Sequence, residues 1–229
     1  IKITIEIPTG EGKSTLVSNL AILMAQAGHK VLVVDADLRW PRQHKIFQVS
    51  NDVGLAGVLH GKAGVEEAIC RSSIGGPDLL PAGHLDGSPS EHLNTQMFLK
   101  LMSELGSTYD TVLVDSPPVM LATDSLVLAA VCDGTILVVR AGMSCRDLAY
   151  RSIEGLLDVG ARLLGAVVNG QRKPRKHQGY YPGYYPGRNG NGNGNGNGNG
   201  NGNGNGNGDG GGNGKVVAVP VSSDGVVAK

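Results

Sequence analysis

The chain predicts a doubly wound α/β domain: a mostly parallel sheet with helices on both faces, followed by a disordered C-terminal tail. Three observations carry this. Runs such as "KVLVVDAD", "TVLVDS" and "GTILVVRAG" are apolar almost throughout rather than alternating, as strands buried on both faces must be. Helical patterns recur between those runs, and strands alternating with helices indicate a parallel sheet. Glycine-rich and acidic positions then fall at the carboxyl ends of the strands, where open α/β sheets take their ligands.

The elements follow in order. "IKITIEI", residues 1–7, reads as the first strand. A helix is predicted over "KSTLVSNLAILMAQAG", with apolar residues at 16, 17, 20, 23, 24 and 27 and a stop at Gly28. "KVLVVDAD" is the second strand, and "TVLVDS", "GTILVVRAG" and "LLGAVVN" are three more. Helical patterns lie near residues 90–105, 121–131 and 145–159.

Composition narrows the class. The 229 residues carry a formal net charge of zero, so no global field attracts nucleic acid. Cys70, Cys132 and Cys145 are far apart and read as buried thiols rather than a disulfide set or metal ligands. Neither a signal peptide nor an apolar run long enough to span a bilayer is present, so a chain that neither crosses a membrane nor is exported is expected. It opens without Met and reads as part of a longer protein.

Four segments are expected: a folded domain over 1–171, a basic junction with a tyrosine cluster over 172–188, an Asn-Gly tail over 189–214, and an unassigned stretch over 215–229. The Gly-, Pro- and Asn-dominated tail holds too little apolar surface to offset its ordering entropy. Yet "GYYPGYYPGRNG" places Tyr180, Tyr181, Tyr184 and Tyr185 there. Such repeats also occur in low-complexity tails that do no chemistry.

The chemistry-bearing residues gather at strand ends. "PTGEGKST", residues 8–15, is a glycine-rich turn entering a helix through Gly-Lys-Ser/Thr. In a P-loop the backbone N–H groups and the helix N-terminus face phosphates, the Lys neutralises the β/γ oxygens, and the hydroxyl reaches Mg²⁺. Lys13, Ser14 and Thr15 fit those places, although Ile7 stands where a leading Gly is usual. The next strand ends on Asp35 and Asp37, followed by Arg39, and "LVDSPP" supplies Asp115. Any one of these could cap a helix. Three beside a phosphate cradle suit Mg²⁺ binding, or one of them a base.

"GEGKST", "VLVVDADLRWP" and "YDTVLVDSPP" resemble the Walker A, A′ and B motifs of bacterial tyrosine kinases, the autokinases of capsular and exopolysaccharide export, similar in fold to the MinD/ParA ATPases. The likeness continues through "GLAGVLHG", "LLPAGHLDGSPSEHL", "LATDSLVLA", "ILVVRAG" and "LGAVVNG", so it covers residues 1–170. The resemblance implies ATP and Mg²⁺ as cofactors. Gly10, Glu11, Gly12, Lys13, Ser14 and Thr15 would wrap the phosphates and Asn169 would face the adenine. Ser14, Asp37 and Asp115 would hold the metal. Asp35 would receive the tyrosine proton, a job it could exchange with Asp37. The family commonly carries a C-terminal tyrosine cluster phosphorylated by neighbouring subunits, which gives the four tail tyrosines a purpose as phosphoacceptors. Implied partners are further copies in a homo-oligomer and a membrane activator of the polysaccharide copolymerase kind, at the cytoplasmic face of the membrane.

Two other outputs fit the same fold. A MinD/ParA-type positioning ATPase carries a signature Lys early in the P-loop, where this chain has Pro8 and Thr9. A non-catalytic nucleotide-binding adaptor of an export complex has little need for Lys13, Asp35, Asp37 and Asp115 together. Lys13→Met is expected to remove phosphotyrosine with the fold intact.

Overall fold

The computed structural model of the chain describes residues 1–6, 12–72, 76–84, 93, 96–171 and 215–219. Gly10, Glu11 and the four tail tyrosines lie outside the described residues.

The strands are β1 (Lys2–Glu6), β2 (Val31–Asp35), β3 (Asp78–Leu80), β4 (Thr111–Asp115), β5 (Gly134–Arg140), β6 (Leu163–Gln171) and β7 (Lys215–Val219). They form one sheet in the order β3-β2-β4-β1-β5-β6-β7. Every pairing is parallel except β6 with β7. The five strands read from sequence are all present. The three-residue β3 has no periodicity to read, and β7 supplies an antiparallel edge from the unassigned stretch.

The longer helices are α1 (Lys13–Gln26), α5 (Gln96–Thr108), α6 (Asp124–Val131) and α7 (Arg146–Asp158), with short α2 (Gln43–Phe47), α3 (Leu55–Leu59) and α4 (Val65–Ala68) between β2 and β3. Because strand side chains alternate faces, the sheet divides cleanly. Ile5, Val31, Val33, Leu113 and Val138 pack with Val17 and Ala21 of α1. Leu32, Val34, Val112 and Val114 pack with Phe98, Leu101 and Met102 of α5 and with Leu128 of α6. Leu137 and Ala166 meet Ile153 of α7.

One helical stripe differs from expectation. Leu23 is 63% exposed and Ala27 is exposed, while Val17, Ser18 and Ala21 are buried. α1 turns its small residues to the sheet, so its axis approaches closely and the bulky line through 16, 20 and 24 is only half buried. The thiols differ too: Cys132 is buried, Cys70 intermediate and Cys145 exposed.

Candidate functional site

Parity places the site. Val31 and Val33 face α1, so Asp35 does too; Leu113 faces α1, so Asp115 follows. The two carboxylates are direct register partners across β2 and β4. Both lie at strand carboxyl ends and both are fully buried. α1 begins beside them, and its first residue, Lys13, is 4% exposed.

Lys13 Nζ is hydrogen-bonded and ion-paired to Asp115 Oδ1. Asp115 Oδ2 accepts from Gln43 Nε2 at 2.7 Å. Asp35 Oδ2 accepts from the backbone N–H groups of Arg42 and Gln43 at 3.0 and 2.9 Å, so it does cap the start of α2. Its other oxygen, Oδ1, is buried and has no hydrogen-bond partner. Asp37 Oδ1 accepts from the Trp40 N–H at 3.0 Å, which tightens the loop after β2. The loop is further tied to α6: Arg39 Nη2 donates to Asp124 Oδ2 at 3.0 Å. Trp40 is 59% exposed.

Charge follows this geometry. Burial works against the Lys13 ammonium, but the Asp115 carboxylate outweighs it and the pKa rises. Burial, and next the charge of Asp115, push Asp35 up. Asp37 is also raised, mainly by burial, with Lys13 acting the other way. A carboxylate raised in this way binds a proton more tightly than usual, and its unpartnered oxygen is the place to hold it.

Gly12 stands at φ 90° as the N-cap of α1, with no side-chain cap. A Cβ there would come within 2.4 Å of Asn169 Nδ2. The end of β6 therefore approaches the N-terminus of α1, and the positive φ at Gly12 favours glycine there. Ser14 is half buried and Thr15 exposed in the first turn of α1, where unpaired N–H groups favour phosphate.

Of the expected site residues, the structure brings together Gly12, Lys13, Ser14, Asp35, Asp37, Asp115 and Asn169. Sequence reasoning missed Gln43, Ser18, Asp124 and Glu6. Gln43 and Ser18 look like ordinary helix surface, and Asp124 like a helix-start acid. Glu6 had a usable signal, because a P-loop strand lies mid-sheet and a polar residue there has no water to face.

The donor set suits a hard cation. A Ser hydroxyl and carboxylate oxygens are ligands of the Mg²⁺ class, and the orphaned Asp35 Oδ1 is an oxygen with capacity to spare. No cluster of three or more His, Cys, Asp or Glu forms a closed metal cage among the described residues. Mg²⁺ customarily takes one or two protein oxygens and completes its shell with water and phosphate.

Known proteins share this fold. An AAA domain family model matches residues 3–161. Tyrosine-protein kinase YwqD of Bacillus subtilis (strain 168) is 40% identical over 174 residues, 75% of this chain and 73% of that protein. The kinase domain of Escherichia coli tyrosine kinase ETK superposes with a TM-score of 0.73 at 33% identity, over 80% of this chain and 72% of that one. The septum site-determining protein MinD of Pyrococcus horikoshii OT3, solved with Mg-ADP, gives a TM-score of 0.63 at 26% identity, over 80% and 75%.

Proposed function

The chain belongs to the tyrosine-protein kinase family that these relatives represent, and from that premise we propose that it transfers the γ-phosphoryl group of ATP to tail tyrosines of neighbouring copies, in the service of exopolysaccharide or capsule synthesis and export. The enzyme is a protein-tyrosine kinase on a P-loop fold. The observation that supports the site is the convergence of Lys13, Asp35 and Asp115 at one buried point beside the N-terminus of α1.

Gly10–Thr15 cradle the phosphates, with Lys13 on the β/γ oxygens. Asn169, which lies against Gly12, turns toward the adenine. Ser14, Asp37 and Asp115 hold Mg²⁺, which supplies neutralising charge on the phosphate oxygens when bound. Asp35 Oδ1 takes the tyrosine proton as the hydroxyl oxygen bonds to phosphorus and the bond to ADP breaks. The transition state is loose, so positioning and charge do most of the work. The acceptors are Tyr180, Tyr181, Tyr184 and Tyr185, and a Gly-rich tether gives them a high effective concentration at a neighbour's site. Homo-oligomers and a membrane activator complete the system at the inner face of the membrane. No helix among the described residues is long and apolar enough to cross a bilayer itself.

The test is incubation of the purified chain with Mg²⁺ and ATP, followed by mass-spectrometric mapping of phosphosites. Phosphate on the four tail tyrosines that is absent from Lys13→Met is the expected result. ADP release without phosphotyrosine, persisting when a candidate activating segment is added, would favour a MinD-like ATPase instead.

A further inference from the structure

Gln43 occupies a position that neither the motifs nor the mechanism accounts for. It is fully buried in the first turn of α2, and its amide is used at both ends. Nε2 donates to Asp115 Oδ2 at 2.7 Å and to the Ser14 carbonyl at 3.1 Å. The Ser18 hydroxyl lies 2.8 Å from Oε1. Its backbone N–H holds Asp35. One residue thus links the two strand-end carboxylates to the first turn of α1, the turn that carries Lys13 and Ser14.

A buried amide is costly unless its polar atoms are satisfied. Here they are satisfied by the very groups that a nucleotide site must hold still. With Oδ2 committed to Gln43, the Asp115 carboxylate is fixed so that Oδ1 faces Lys13. The same amide sets the distance between Asp115 and the backbone of Ser14. We propose that Gln43 is a positioning residue: it locks Asp115 and Ser14 into one arrangement and thereby sets how strongly Mg²⁺ tightens nucleotide binding. The inference rests on the assignment of Asp115 and Ser14 to the Mg²⁺ site. A plain structural staple between α1 and α2 would instead affect nucleotide binding equally with and without the metal.

The experiment is a titration of the full chain with fluorescent ADP, once in Mg²⁺ and once in EDTA. Gln43→Met keeps the length and buried volume and removes both donors. Its ADP affinity in EDTA should stay within about twofold of wild type, while the tightening caused by Mg²⁺ falls roughly tenfold, the scale of one hydrogen bond to a charged group. Ser18→Ala, which removes the hydroxyl from both the amide oxygen of Gln43 and the Ser14 carbonyl, should show the same metal-specific loss at about threefold. Equal losses with and without Mg²⁺, or a full metal response in Gln43→Met, would overturn the proposal. If Gln43→Met does not fold, an unchanged Mg²⁺ response in Ser18→Ala overturns it alone. A wild-type chain that binds ADP in neither buffer would sink the kinase site and this inference together, whereas normal wild-type behaviour with unaffected variants sinks only the role of Gln43.

Discussion

Asp115 and Glu6 stand at the ends of adjacent strands, both fully buried, and face opposite sides of the sheet. On the α1 side, Asp115 meets the Lys13 ammonium and the Gln43 amide. On the α6 side, Glu6 accepts a hydrogen bond from Thr4 Oγ1 at 2.9 Å, and its Oε2 has no partner. Its pKa is pushed up to about 8, chiefly by burial, with Ser116, Thr4 and Lys13 pulling it back only in part. Burial without a partner disfavours the charged form of a carboxyl group, whereas Asp115 is buried against a cation and a fixed amide. Cys132 fits the picture on the other face, with its thiol raised to about 12 by burial and next by Glu6.

The largest expected effect comes from removing the cation that distinguishes the two sides. Lys13→Met leaves Asp115 buried without its counter-charge, which should cost about 3–5 kcal/mol of stability along with all phosphotyrosine. Lys13 is half of a buried ion pair, so a loss of stability is expected to accompany the loss of phosphotyrosine, and the variant's fold is checked by its unfolding curve. Adding Asp115→Asn to Lys13→Met should recover much of the loss in urea unfolding. A single Lys13→Met variant as stable as wild type would remove the electrostatic contrast between the faces.

Next in size is the opposite carboxyl group. Glu6 has a folded pKa of about 8 against 4.5 for the unconstrained group. The folded state therefore binds the extra proton between those values, and stability falls as pH rises through that window, levelling above it. Glu6→Gln keeps the shape without the charge. Its stability relative to wild type should rise between pH 5 and pH 8 by on the order of 3 kcal/mol. Parallel pH–stability curves for the two proteins would mean that Glu6 is ionised within the fold.

The division between the faces was partly legible in the sequence. Continuous Val/Leu/Ile runs ending in Asp35 and Asp115 identified the strands, but that both acids share a face follows only from the β2–β4 register. What was not legible depends on distance along the chain. Gln43 meets Asp115 across 72 residues, and Arg39 meets Asp124 across 85, without any local pattern to announce either. The α1 stripe misled because hydrophobicity was read as burial. The helix places Ala21 and Ser18 against the sheet instead, where close approach matters more than apolar bulk. β3 is too short to carry a period, and β7 owes its place to β6 rather than to its own sequence.

A third test sharpens how the α1 face is held in place. Asp124 is almost wholly buried, while its partner Arg39 retains 32% side-chain exposure. Asp124→Asn removes the charge but leaves Arg39 access to water, so the cost should be about 1–2 kcal/mol, less than for Lys13→Met. Because Arg39 shares a loop with Asp37 and Trp40, the variant should also alter Trp40 fluorescence. A large stability loss with unchanged fluorescence would indicate that Asp124 supports α6 rather than the loop.

The last test, which ends on the smallest single effect, separates the two sides of α1 itself. Val17 is fully buried between the helix and the sheet, whereas Leu23, two turns on, is mostly exposed. Val17→Ala should cost about 1–3 kcal/mol through lost contacts and a cavity beneath the phosphate loop. Leu23→Lys should stay within about 0.5 kcal/mol, since a Lys is also a good helix former at a solvated position. Urea midpoints of the two variants measure the difference directly. If Leu23→Lys proved the more damaging, the larger apolar side chains of α1 would be covered by something in solution, and Leu23 would mark a contact surface rather than a bare helix flank.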